Sequence, residues 1–550
     1  MRDAPYLEDD GPMAETMRGD QALAWGALAA GVGVVTGYPG SPASGVFDAL
    51  LARTSPSDLH IAWAPNEKVA MEIAIGASLG GTRALVVVKS VGLNVGLDPL
   101  ATMTYTGCHR GLVILLGDDP GAWGSQNEQD SRWLARVAEV PVVEPTSVEQ
   151  AAALMAQAFV WSESCGTPII VRITRALALD RGAPQEPFAP PAPRGGFLRK
   201  RNRWITLPSV AVRKHHMLHA RLRNVAAAWE ASPYDVATGE GPLGILAVGH
   251  AHAKVGRVLG ERAAEYRLLG ISSVWPLPEG ALERRLGGVE RLLVVEEGGP
   301  FVEEGLAALV GRRGLGIEIL GRATRSLPAE GELTATSIAE AIGALDPAVA
   351  LAAAPDEAPA RAAERPLCPG CPYRPAAEAL IEAMEAHGGR RRHIVVGETG
   401  CMVRANLPPY ELFDVKYALG AGLGLGLGLA MSDRKHTVVA LLGDSSFFHS
   451  DLNVLPYAAT LGLPLVAVVL DNGGAALTGG QPHPASPVDD RGAPRRAVDL
   501  IALLRGAGAE PTVCAAEDRR ALGAAFDAAL GAQDGLRVIV VRGACPEGSH

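Results

Sequence analysis

Short apolar runs rich in valine, isoleucine and leucine alternate with longer helical stretches from Gly19 to about Arg175. Runs buried on both faces and separated by helices are typical of a parallel sheet with helices on each side. We therefore expect an α/β fold that begins with a domain over residues 15–185. Its predicted strands are Val34–Thr36, His60–Trp63, Ala84–Val88, Leu112–Leu116, Val140–Val143 and Pro168–Ile173.

Two further α/β domains are predicted, each after a segment with the composition of a linker. A proline-rich stretch and a basic stretch without a regular period predict a first linker over residues 186–240. A smaller second domain is expected over 241–345, a linker rich in alanine and proline over 346–366, and a third domain over 367–546. The predicted strands of the second domain are Gly244–Val248, Ser273–Trp275, Arg291–Glu296 and Leu315–Leu320.

The composition favours a globular protein that acts on small molecules. The 550 residues are 48% hydrophobic and 20% charged, which suffices for several buried cores. A net charge of −10 without a long basic tract does not favour nucleic acid or an anionic membrane as a partner. The apolar run Tyr417–Ala430 is shorter than the roughly 20 residues of a membrane span. With no signal-like start, we expect a cytoplasmic protein whose cysteines are reduced.

Two motifs of the third domain predict a magnesium-diphosphate site. Gly443-Asp444-Ser445 ends the predicted strand Thr437–Leu442, and Asp471-Asn472 ends the next strand, Leu465–Leu470. A right-handed strand-helix-strand crossover brings both motifs to the edge of the sheet where open α/β sheets bind ligands. The Asp444 carboxylate, the Asn472 amide oxygen and the backbone carbonyl near Gly474 then form a set of hard oxygens suited to Mg²⁺.

This arrangement resembles the thiamine-diphosphate-binding motif, in which Gly-Asp-Gly precedes an asparagine. Ser445 replaces the usual second glycine and keeps Asp444 as the metal ligand. The competing nucleotide-binding candidate is the glycine run Gly420–Gly426, which has no clear preceding strand and no well-placed acid about 20 residues on. We expect that run to form a helix packed against the sheet.

Four cysteines of the third domain form a candidate metal-binding set. Cys368 and Cys371 belong to Cys-Pro-Gly-Cys-Pro, Cys401 ends Gly-Glu-Thr-Gly-Cys, and Cys545 follows a strand-like run. A Cys-x-x-Cys pair with two distant cysteines suits a four-iron cluster, and zinc accepts the same four thiolates. The spacing by itself leaves iron-sulfur, zinc and simple burial open. The other cysteines are expected in the hydrophobic core: Cys108, Cys165 and Cys514.

Seven motifs spread over nearly the whole chain carry a family resemblance. In the N-terminal half they are Tyr38-Pro-Gly-Ser-Pro, Asn66-Glu-Lys-Val-Ala-Met-Glu and Val91-Gly-Leu-Asn-Val-Gly-Leu-Asp-Pro. In the third domain they are Cys368-Pro-Gly-Cys-Pro-Tyr-Arg, Gly443-Asp-Ser-Ser-Phe-Phe-His-Ser, Leu470-Asp-Asn-Gly-Gly and Leu477-Thr-Gly-Gly-Gln-Pro-His-Pro. Together they resemble the large subunit of indolepyruvate:ferredoxin oxidoreductase, of the thiamine-diphosphate-dependent 2-oxoacid:ferredoxin oxidoreductase superfamily.

The resemblance implies three domain types and the role of the four cysteines. It implies a pyrimidine-binding domain, a transketolase C-terminal-like domain and a diphosphate-binding domain, in that order along the chain. Cys368, Cys371, Cys401 and Cys545 stand where the superfamily has the ligands of one [4Fe-4S] cluster. This match favours iron-sulfur over zinc.

Particular site residues also follow from the resemblance. Glu67 stands where the superfamily has the acid beside the aminopyrimidine ring, with Glu72 as a weaker choice; residues alone would make Glu67 a solvated helix start. Ser41 and Arg132 are the candidates for binding the substrate carboxylate. The cofactor-binding set is Gly443, Asp444, Ser445, Asn472 and Gly474. No catalytic role is predicted for His449 or His483.

The resemblance implies the oxidative decarboxylation of an arylpyruvate to an acyl-coenzyme A, with electrons passing through the cluster to ferredoxin or another acceptor. It also implies a small beta subunit and a dimer of heterodimers. The sequence lacks the Cys-x-x-Cys-x-x-Cys run of the ferredoxin-like tail that many large subunits carry, so electrons are expected to leave by another route.

Two alternatives remain open. One is a non-oxidative thiamine-diphosphate-dependent decarboxylase or carboligase, and the other is a zinc-bearing assembly subunit without catalysis. The joint presence of Glu67, Asp444 and Asn472 argues against the second alternative.

Overall fold

Three mainly parallel sheets flanked by helices make up the described part of the chain, which confirms the predicted α/β fold class. The computed structural model describes residues 16–191, 196–200, 202–351, 366–433 and 435–546. Two units are distinct: a larger one of Met1–Ala62 and Glu67–Ala360, and a smaller one of Trp63–Asn66 and Arg361–His550. No helix within the described ranges is both long and apolar enough to span a bilayer.

The larger unit contains the first fourteen strands and the first twelve helices. Its strands are β1 (Met17–Arg18), β2 (Val34–Gly37), β3 (His60–Trp63), β4 (Ala84–Lys89), β5 (Leu112–Asp118), β6 (Val142–Val143), β7 (Ile169–Thr174), β8 (Arg181–Gly182), β9 (Val236–Thr238), β10 (Leu243–Val248), β11 (Arg267–Ile271), β12 (Ser273–Trp275), β13 (Arg291–Val295) and β14 (Glu318–Leu320). Its helices are α1 (Gly19–Ala29), α2 (Ser44–Arg53), α3 (Glu67–Gly80), α4 (Ser90–Thr106), α5 (Arg132–Val137), α6 (Val148–Cys165), α7 (Arg175–Leu179), α8 (Pro208–Trp229), α9 (Ala251–Leu259), α10 (Glu279–Arg285), α11 (Phe301–Arg313) and α12 (Ala335–Leu345), with a 3₁₀ helix at Gly260–Glu265.

Two of the three mainly parallel sheets lie in this larger unit, together with a two-stranded antiparallel sheet of β1 and β8. The seven-stranded sheet has the order β12-β6-β7-β5-β4-β2-β3, and the run from β2 through β4, β5 and β7 to β6 is parallel. The five-stranded sheet has the order β14-β13-β10-β11-β9, in which only β9 is antiparallel to its neighbour. Strands such as β5 are buried along their whole length, as expected where helices cover both faces.

The predicted strand Ser273–Trp275 exists, but its assignment to the second sheet is wrong. It pairs antiparallel with β6 at the edge of the seven-stranded sheet. β11 pairs with β10 in the second sheet, and β11 directly precedes Ser273–Trp275 in the chain. Asp235 Oδ1 accepts hydrogen bonds from the backbone N–H groups of Ser272 at 2.7 Å and Ser273 at 3.0 Å, so the chain leaves one sheet and enters the other at this point.

The segment predicted as the first linker is not irregular throughout. It contains α8, a helix of 22 residues that starts with a proline in its first turn and buries Leu218, Val225 and Trp229. The linker prediction rested on the proline-rich and basic stretches that precede this helix. Of the second predicted linker, residues 352–365 lie outside the described residues, and the three-domain division stays a prediction.

A fully buried charge network joins the two sheets of the larger unit. Arg132, at the start of α5, lies 2.7 Å from Glu296, which directly follows β13, and 2.7 Å from Asp130. Arg172 of β7 pairs with Asp118 of β5 at 2.7 Å. Burial works to raise the pKa of Asp130, but the Arg132 guanidinium holds it at about 2. Charges buried to this depth are stable only when paired, so the network fixes how the two sheets meet.

The burial and contacts of Arg132 argue against the substrate role predicted for it. Its side chain is 0% exposed, and besides the two carboxylates it donates to the backbone carbonyls of Glu297 at 2.9 Å and Gly299 at 3.0 Å. All three nitrogens of this buried guanidinium already donate to protein oxygens, so it is poorly placed to bind a substrate carboxylate. An arginine could have bound the substrate or stabilised the fold, and the burial of Arg132 favours the structural role.

The smaller unit is built on one fully parallel sheet of six strands in the order β16-β15-β17-β18-β20-β19. Its strands are β15 (His393–Gly397), β16 (Val415–Lys416), β17 (Thr437–Gly443), β18 (Leu465–Asp471), β19 (Pro511–Ala515) and β20 (Leu536–Arg542). Its helices are α13 (Tyr373–Ala386), α14 (Gly422–Ser432), α15 (Asp444–Ser446), α16 (Leu452–Leu461), α17 (Leu500–Gly506) and α18 (Arg519–Leu530), with 3₁₀ helices at Arg390–Arg392, Cys401–Asn406 and Ala476–Thr478 and a π-helical turn at Phe447–Asp451.

The glycine run of the sequence is the start of α14, as predicted. Leu423 and Leu427 of this helix are buried in the same apolar cluster as Ala440 of β17 and Ala467 of β18. The absence of large side chains at the intervening glycines lets the helix approach the sheet closely. The run therefore has a packing role in the core.

Replacing Arg132 with methionine is expected to lower the free energy of unfolding of the larger unit by about 3–5 kcal/mol, because Glu296 and Asp130 would stay buried without their partner. The measurement is urea denaturation followed by circular dichroism. The matched control is Arg136→Met, an exposed arginine on the same helix, where a change within about 0.5 kcal/mol is expected. Equal stability of the two variants would contradict a stabilising role for the network.

Candidate functional site

The polar residues of the smaller unit gather where its central parallel strands end. Glu398 follows β15, Asp444 follows β17 and Asn472 follows β18, while Cys545 lies three residues after β20. Neighbouring parallel strands end at the same edge of a sheet, so one edge collects all four. The π-helical turn that follows Asp444 buries Phe447 and Phe448 beneath it, and such turns are frequent at functional sites.

Asp444 organises the loop that follows β18. Its Oδ2 accepts hydrogen bonds from the backbone N–H groups of Asn472 at 3.0 Å and Gly473 at 2.7 Å. Its Oδ1 accepts from the backbone N–H of Ser445 at 2.6 Å, and the Ser445 hydroxyl lies 3.3 Å away. Asp444 is 2% exposed. The serine at position 445 therefore supports the orientation of the carboxylate, and the departure from glycine does no harm to the geometry.

The Asn472 amide faces the oxygens with which it was predicted to bind a cation. One terminal atom of this amide lies 2.8 Å from the Gly474 carbonyl oxygen and 3.2 Å from Asp444 Oδ2. A nitrogen there donates to both oxygens, and the amide oxygen then accepts from the Tyr373 hydroxyl at 3.0 Å. An oxygen there completes a triad of oxygens. Magnesium bonds of 2.0–2.1 Å at right angles separate neighbouring ligand oxygens by about 2.9 Å, which is close to the two spacings from the Asn472 amide.

His483 adds a buried donor beside the same carboxylate. Its Nε2 lies 3.0 Å from Asp444 Oδ2, and its Nδ1 accepts from the backbone N–H of Ala485 at 3.1 Å, which leaves the ring proton on Nε2. The ring stacks on Phe448 with centroids 5.3 Å apart. His449 is also buried, and its backbone carbonyl accepts from the Asn66 side chain at 2.9 Å. The sequence singled out both histidines without a role, and His483 reaches the metal motif through its side chain.

The four predicted cysteines lie close enough to influence one another. Burial raises the pKa of the Cys401 thiol to about 12; Arg404 works in the opposite direction, and the thiolates of Cys545, Cys371 and Cys368 add to the rise. Arg404 Nη1 lies 3.3 Å from Cys368 Sγ. A bound metal deprotonates its thiol ligands, so metal binding here would release protons.

Close packing at the end of β20 explains why Cys545 lies near the other three cysteines. Gly543, two residues before Cys545, lies so near Pro372 that a β-carbon at residue 543 would be 2.4 Å from Pro372 Cβ. Pro372 directly follows Cys371. The end of β20 and the Cys-Pro-Gly-Cys turn are therefore in contact, although they are far apart in sequence. Outside this set, Cys108, Cys165 and Cys514 are buried, as predicted.

Tyr373 lies between the cysteines and the oxygen triad. Its hydroxyl is 3.3 Å from the Leu470 carbonyl oxygen, and the side chain is 6% exposed. Burial raises the pKa of this hydroxyl well above its ordinary value, and the charges of Asp444, Cys401 and Cys371 add to the rise. One neutral tyrosine is thus within electrostatic reach of both sets of ligands.

Glu398 and Asp451 form a buried pair of acids near this edge of the sheet. The sequence interpretation missed this pair. Glu398 is 0% exposed, and its carboxylate accepts from the backbone N–H of Gly422 at 2.5 Å and from the Ser446 hydroxyl. Burial raises the pKa of Glu398 well above its ordinary value, and the Asp451 carboxylate adds to the rise. The pair therefore shares a proton. The signal was an acid directly after a strand in Gly-Glu-Thr-Gly-Cys, a motif interpreted only for its cysteine.

In the larger unit, Glu67 is the first residue of α3 and is 5% exposed, so it is not a solvated helix start. Gly92 of α4 leaves the space for its side chain: a β-carbon at residue 92 would lie 2.7 Å from Glu67 Oε1. This contact explains why the Val91-Gly-Leu-Asn motif accompanies the glutamate. Glu72, the weaker choice, forms a surface ion pair with Lys68.

Ser41 lies exposed in the turn between β2 and α2. The preceding residue, Gly40, contacts the stem of Lys89: a β-carbon at residue 40 would lie 2.5 Å from Lys89 Cδ. Lys89 ends β4 and donates to the Gly124 carbonyl oxygen at 3.3 Å. The sequence interpretation missed this lysine, whose signal was a cation at the carboxyl end of an otherwise apolar strand.

Two family profiles match the chain. The one described as "Pyruvate flavodoxin/ferredoxin oxidoreductase, thiamine diP-bdg" matches residues 25–180. The one described as "Thiamine pyrophosphate enzyme, C-terminal TPP binding domain" matches residues 398–541. The second range contains Asp444 and Asn472, and the first contains Ser41 and Glu67.

Curated relatives cover almost the entire chain, and each of the following is named "Indolepyruvate oxidoreductase subunit IorA". The protein of Methanothermobacter thermautotrophicus is 32% identical over 90% of this chain and 80% of its own length. That of Pyrococcus abyssi is 33% identical over 96% of this chain and 85% of its own length. That of Archaeoglobus fulgidus is 33% identical over 90% of this chain and 80% of its own length.

Similarity to solved structures is weaker. A 2-oxoglutarate:ferredoxin oxidoreductase from Magnetococcus marinus is 13% identical, with a TM-score of 0.44 over 56% of this chain and 61% of that chain. A thiamine diphosphate-dependent 4-hydroxybenzoylformate decarboxylase from Rhodococcus jostii RHA1 is 18% identical, with a TM-score of 0.28 over 97% of this chain and 100% of that chain. Similarities of this degree carry no argument about function.

Replacing Asn472 with alanine is expected to weaken magnesium-dependent binding of thiamine diphosphate at least tenfold, about 1.4 kcal/mol, because one oxygen of the triad is lost. Isothermal titration with thiamine diphosphate at fixed magnesium measures the change. The control is Ser445→Gly, which keeps all three oxygens and should bind within about threefold of the unaltered protein. Unchanged affinity in Asn472→Ala would contradict the proposed ligand set.

The stability of the smaller unit is expected to fall as pH rises above about 4.5, the ordinary pKa of a glutamate. There the unfolded chain loses the Glu398 proton that the folded protein keeps, so the folded state binds more protons and loses up to about 1.4 kcal/mol per pH unit. Glu398→Gln should flatten the fall in urea midpoint between pH 5 and pH 8. Glu517→Gln, an exposed acid of the same unit, should keep the original slope. A slope unaffected by Glu398→Gln would refute the shared proton.

Proposed function

Since the chain belongs to the family of indolepyruvate oxidoreductase subunit IorA and is a thiamine-diphosphate-dependent 2-oxoacid oxidoreductase, we propose that it oxidises an arylpyruvate such as indolepyruvate. The reaction removes the carboxyl group of the 2-oxo acid oxidatively. The finer parts of the proposal are the acyl acceptor, coenzyme A, and an electron path through one [4Fe-4S] cluster to ferredoxin or another acceptor.

The observation that carries the proposal is the position of Tyr373 between two sets of ligands in one unit. On one side lie Asp444 and Asn472, and on the other lie the cysteines represented by Cys371 and Cys401. An oxidative decarboxylase needs an electron acceptor close to the cofactor on which the substrate reacts. A non-oxidative decarboxylase has no use for a cysteine set at this place.

We assign Asp444, Asn472 and the Gly474 carbonyl as magnesium ligands and Gly443 and Ser445 as the turn that holds them. The convergence of oxygens at 2.8 and 3.2 Å supports the assignment. When bound, thiamine diphosphate supplies the carbanion chemistry that detaches the carboxyl group. His483 Nε2–H, already beside Asp444, can donate to a diphosphate oxygen held there.

We assign Cys368, Cys371, Cys401 and Cys545 as ligands of a four-iron cluster. Cys545, Cys371 and Cys368 all influence the pKa of the Cys401 thiol, which supports one shared centre. The match to the superfamily's ligand positions favours iron-sulfur over zinc at that centre. The hydrogen bond from Arg404 to Cys368 Sγ is of the kind that tunes a cluster's potential.

Glu67 is proposed as the acid that exchanges a proton with the aminopyrimidine ring. Its burial at 5% exposure supports the role, because a carboxylate held in a fixed orientation away from water can favour one tautomer of the ring. The contact with Gly92 provides that orientation.

The substrate carboxylate is proposed to bind at the turn of Ser41, whose hydroxyl is exposed. Lys89 replaces Arg132 as the cation of this proposal, since its stem contacts Gly40 and its ammonium group lies at the carboxyl edge of the sheet. A flexible lysine accommodates a carboxylate as a point charge.

The remaining parts of the proposal concern domains and partners. Residues 15–185 would bind the pyrimidine side of the cofactor, residues 241–345 form the transketolase C-terminal-like domain, and residues 367–546 bind the diphosphate and the cluster. The relatives are named as subunits, which supports a small beta subunit as partner. A dimer of heterodimers and a cytoplasmic location stay predictions from the sequence.

The test is the iron and acid-labile sulfide content of the anaerobically purified complex, with visible spectra before and after adding indolepyruvate and thiamine diphosphate. About four irons per chain and substrate-dependent bleaching are expected. Cys371→Ser should lose the iron, whereas Cys514→Ser, a buried cysteine of the same unit, should keep it. Decarboxylation without bleaching would indicate the non-oxidative alternative, and zinc in place of iron would indicate the assembly subunit.

Gly92→Ala is expected to abolish at least nine-tenths of the turnover with little change in melting temperature, because the new methyl group displaces the Glu67 carboxylate. Turnover is measured as indolepyruvate-dependent reduction of a viologen dye. Gly76→Ala on α3, where nothing lies within 4 Å of the added carbon, should keep full activity. Full activity in Gly92→Ala would contradict the role of Glu67.

A further inference from the structure

A carboxylate and two histidines, none of them assigned a role above, lie together in the larger unit. His215 Nε2 lies 2.7 Å from Glu139 Oε2, and His219 Nε2 lies 2.8 Å from Glu139 Oε1. We propose that Glu139, His215 and His219 form a zinc site that ties α8 to the turn after α5. We call these three residues the His-Glu-His site.

The spacing of the histidines directs both rings to one point. They are four residues apart on α8, so they lie on the same helix face one turn apart. Their ring centroids are 4.3 Å apart. The three ligand atoms lie within 4.8 Å of one another. Zinc bonds of 2.0–2.1 Å place tetrahedral ligands about 3.4 Å apart, so small side-chain rotations complete the site.

Two features outside the ligand atoms hold the side chains in this arrangement. The ring of Tyr105 stacks on His215 with centroids 5.3 Å apart and an interplanar angle of 22°. The backbone of Glu139 has a φ of 56°, a left-handed conformation that is uncommon for any residue other than glycine. The Glu139 N–H donates to the Arg136 carbonyl oxygen at 3.2 Å within that turn. The turn thereby directs the carboxylate at the histidine face of α8.

The donor set selects the class of metal. Two imidazole nitrogens and one carboxylate suit zinc and its transition-metal neighbours, whereas magnesium and calcium favour oxygen ligands. His215 is 41% and His219 47% exposed at the side chain, so water can provide the fourth ligand. The metal replaces the two hydrogen bonds to Glu139, and each imidazole binds it through Nε2 as the neutral tautomer that carries its proton on Nδ1.

The test is zinc content by mass spectrometry after untagged protein has been freed of loosely bound metal and dialysed against micromolar zinc. The unaltered protein should bind one zinc per chain more than His219→Ala or Glu139→Gln. All variants retain the four cysteines, so any zinc held there cancels in the difference. Zinc should also raise the melting temperature of the unaltered protein but not of the two variants.

The matched control is His216→Ala, which removes the adjacent exposed histidine outside the His-Glu-His site and should bind zinc as the unaltered protein does. Cobalt substitution gives a second measurement: the unaltered protein should show d–d bands that His219→Ala lacks, without a difference in sulfur-to-cobalt absorption. Equal zinc in all variants, or an equal loss in His216→Ala, would overturn the proposal and leave a hydrogen-bonded surface contact. Neither result depends on turnover or on the cluster.

Discussion

Parallel hydrogen bonding is the constraint on which both units depend, because it makes every strand of a sheet end at the same edge. In the smaller unit, this edge receives Asp444 after β17 and Asn472 after β18. In the larger unit, the turn of Ser41 follows β2 and Lys89 ends β4, its direct neighbour. Strand pairing alone brings these residues close together, although they are far apart in sequence. The chemistry of the protein is therefore arranged by backbone pairing, and the loops only refine it.

Buried charge is the second organising feature, and it has a structural role in both units. Arg132 and Arg172 donate their N–H groups to buried carboxylates, and the pair of Arg132 with Glu296 joins two sheets of the larger unit. In the smaller unit, Glu398 and Asp451 share a proton beneath the ligand-bearing edge. An unpaired charge at either place would cost several kcal/mol. Both sets are thus fixed by burial, and neither is free to meet a substrate.

The motifs of the smaller unit could be predicted because each follows a strand whose apolar pattern is plain in the sequence. The cysteine set, the oxygen triad and the helical role of the glycine run all follow from that pattern together with the family resemblance. Arg132 was misassigned because a sequence motif does not reveal how many acids surround a guanidinium. Glu398 and Lys89 were missed because their signals are single residues at strand ends. The strand Ser273–Trp275 was identified correctly and paired wrongly, since sheet membership depends on partners that are distant along the chain.

The sequence by itself determined the fold class, the strands that carry the motifs and the identity of the candidate ligands, because hydrophobic periodicity and residue type are local properties. Tertiary structure decided which partners surround each of these residues. It placed Asn472 against two oxygens, enclosed Glu67 beside Gly92 and engaged all three guanidinium nitrogens of Arg132 with protein oxygens. It also brought Glu139 close to two histidines of α8, a helix within the segment that we predicted to be a linker. Such pairings depend on distances between segments, and a linear sequence does not contain distances.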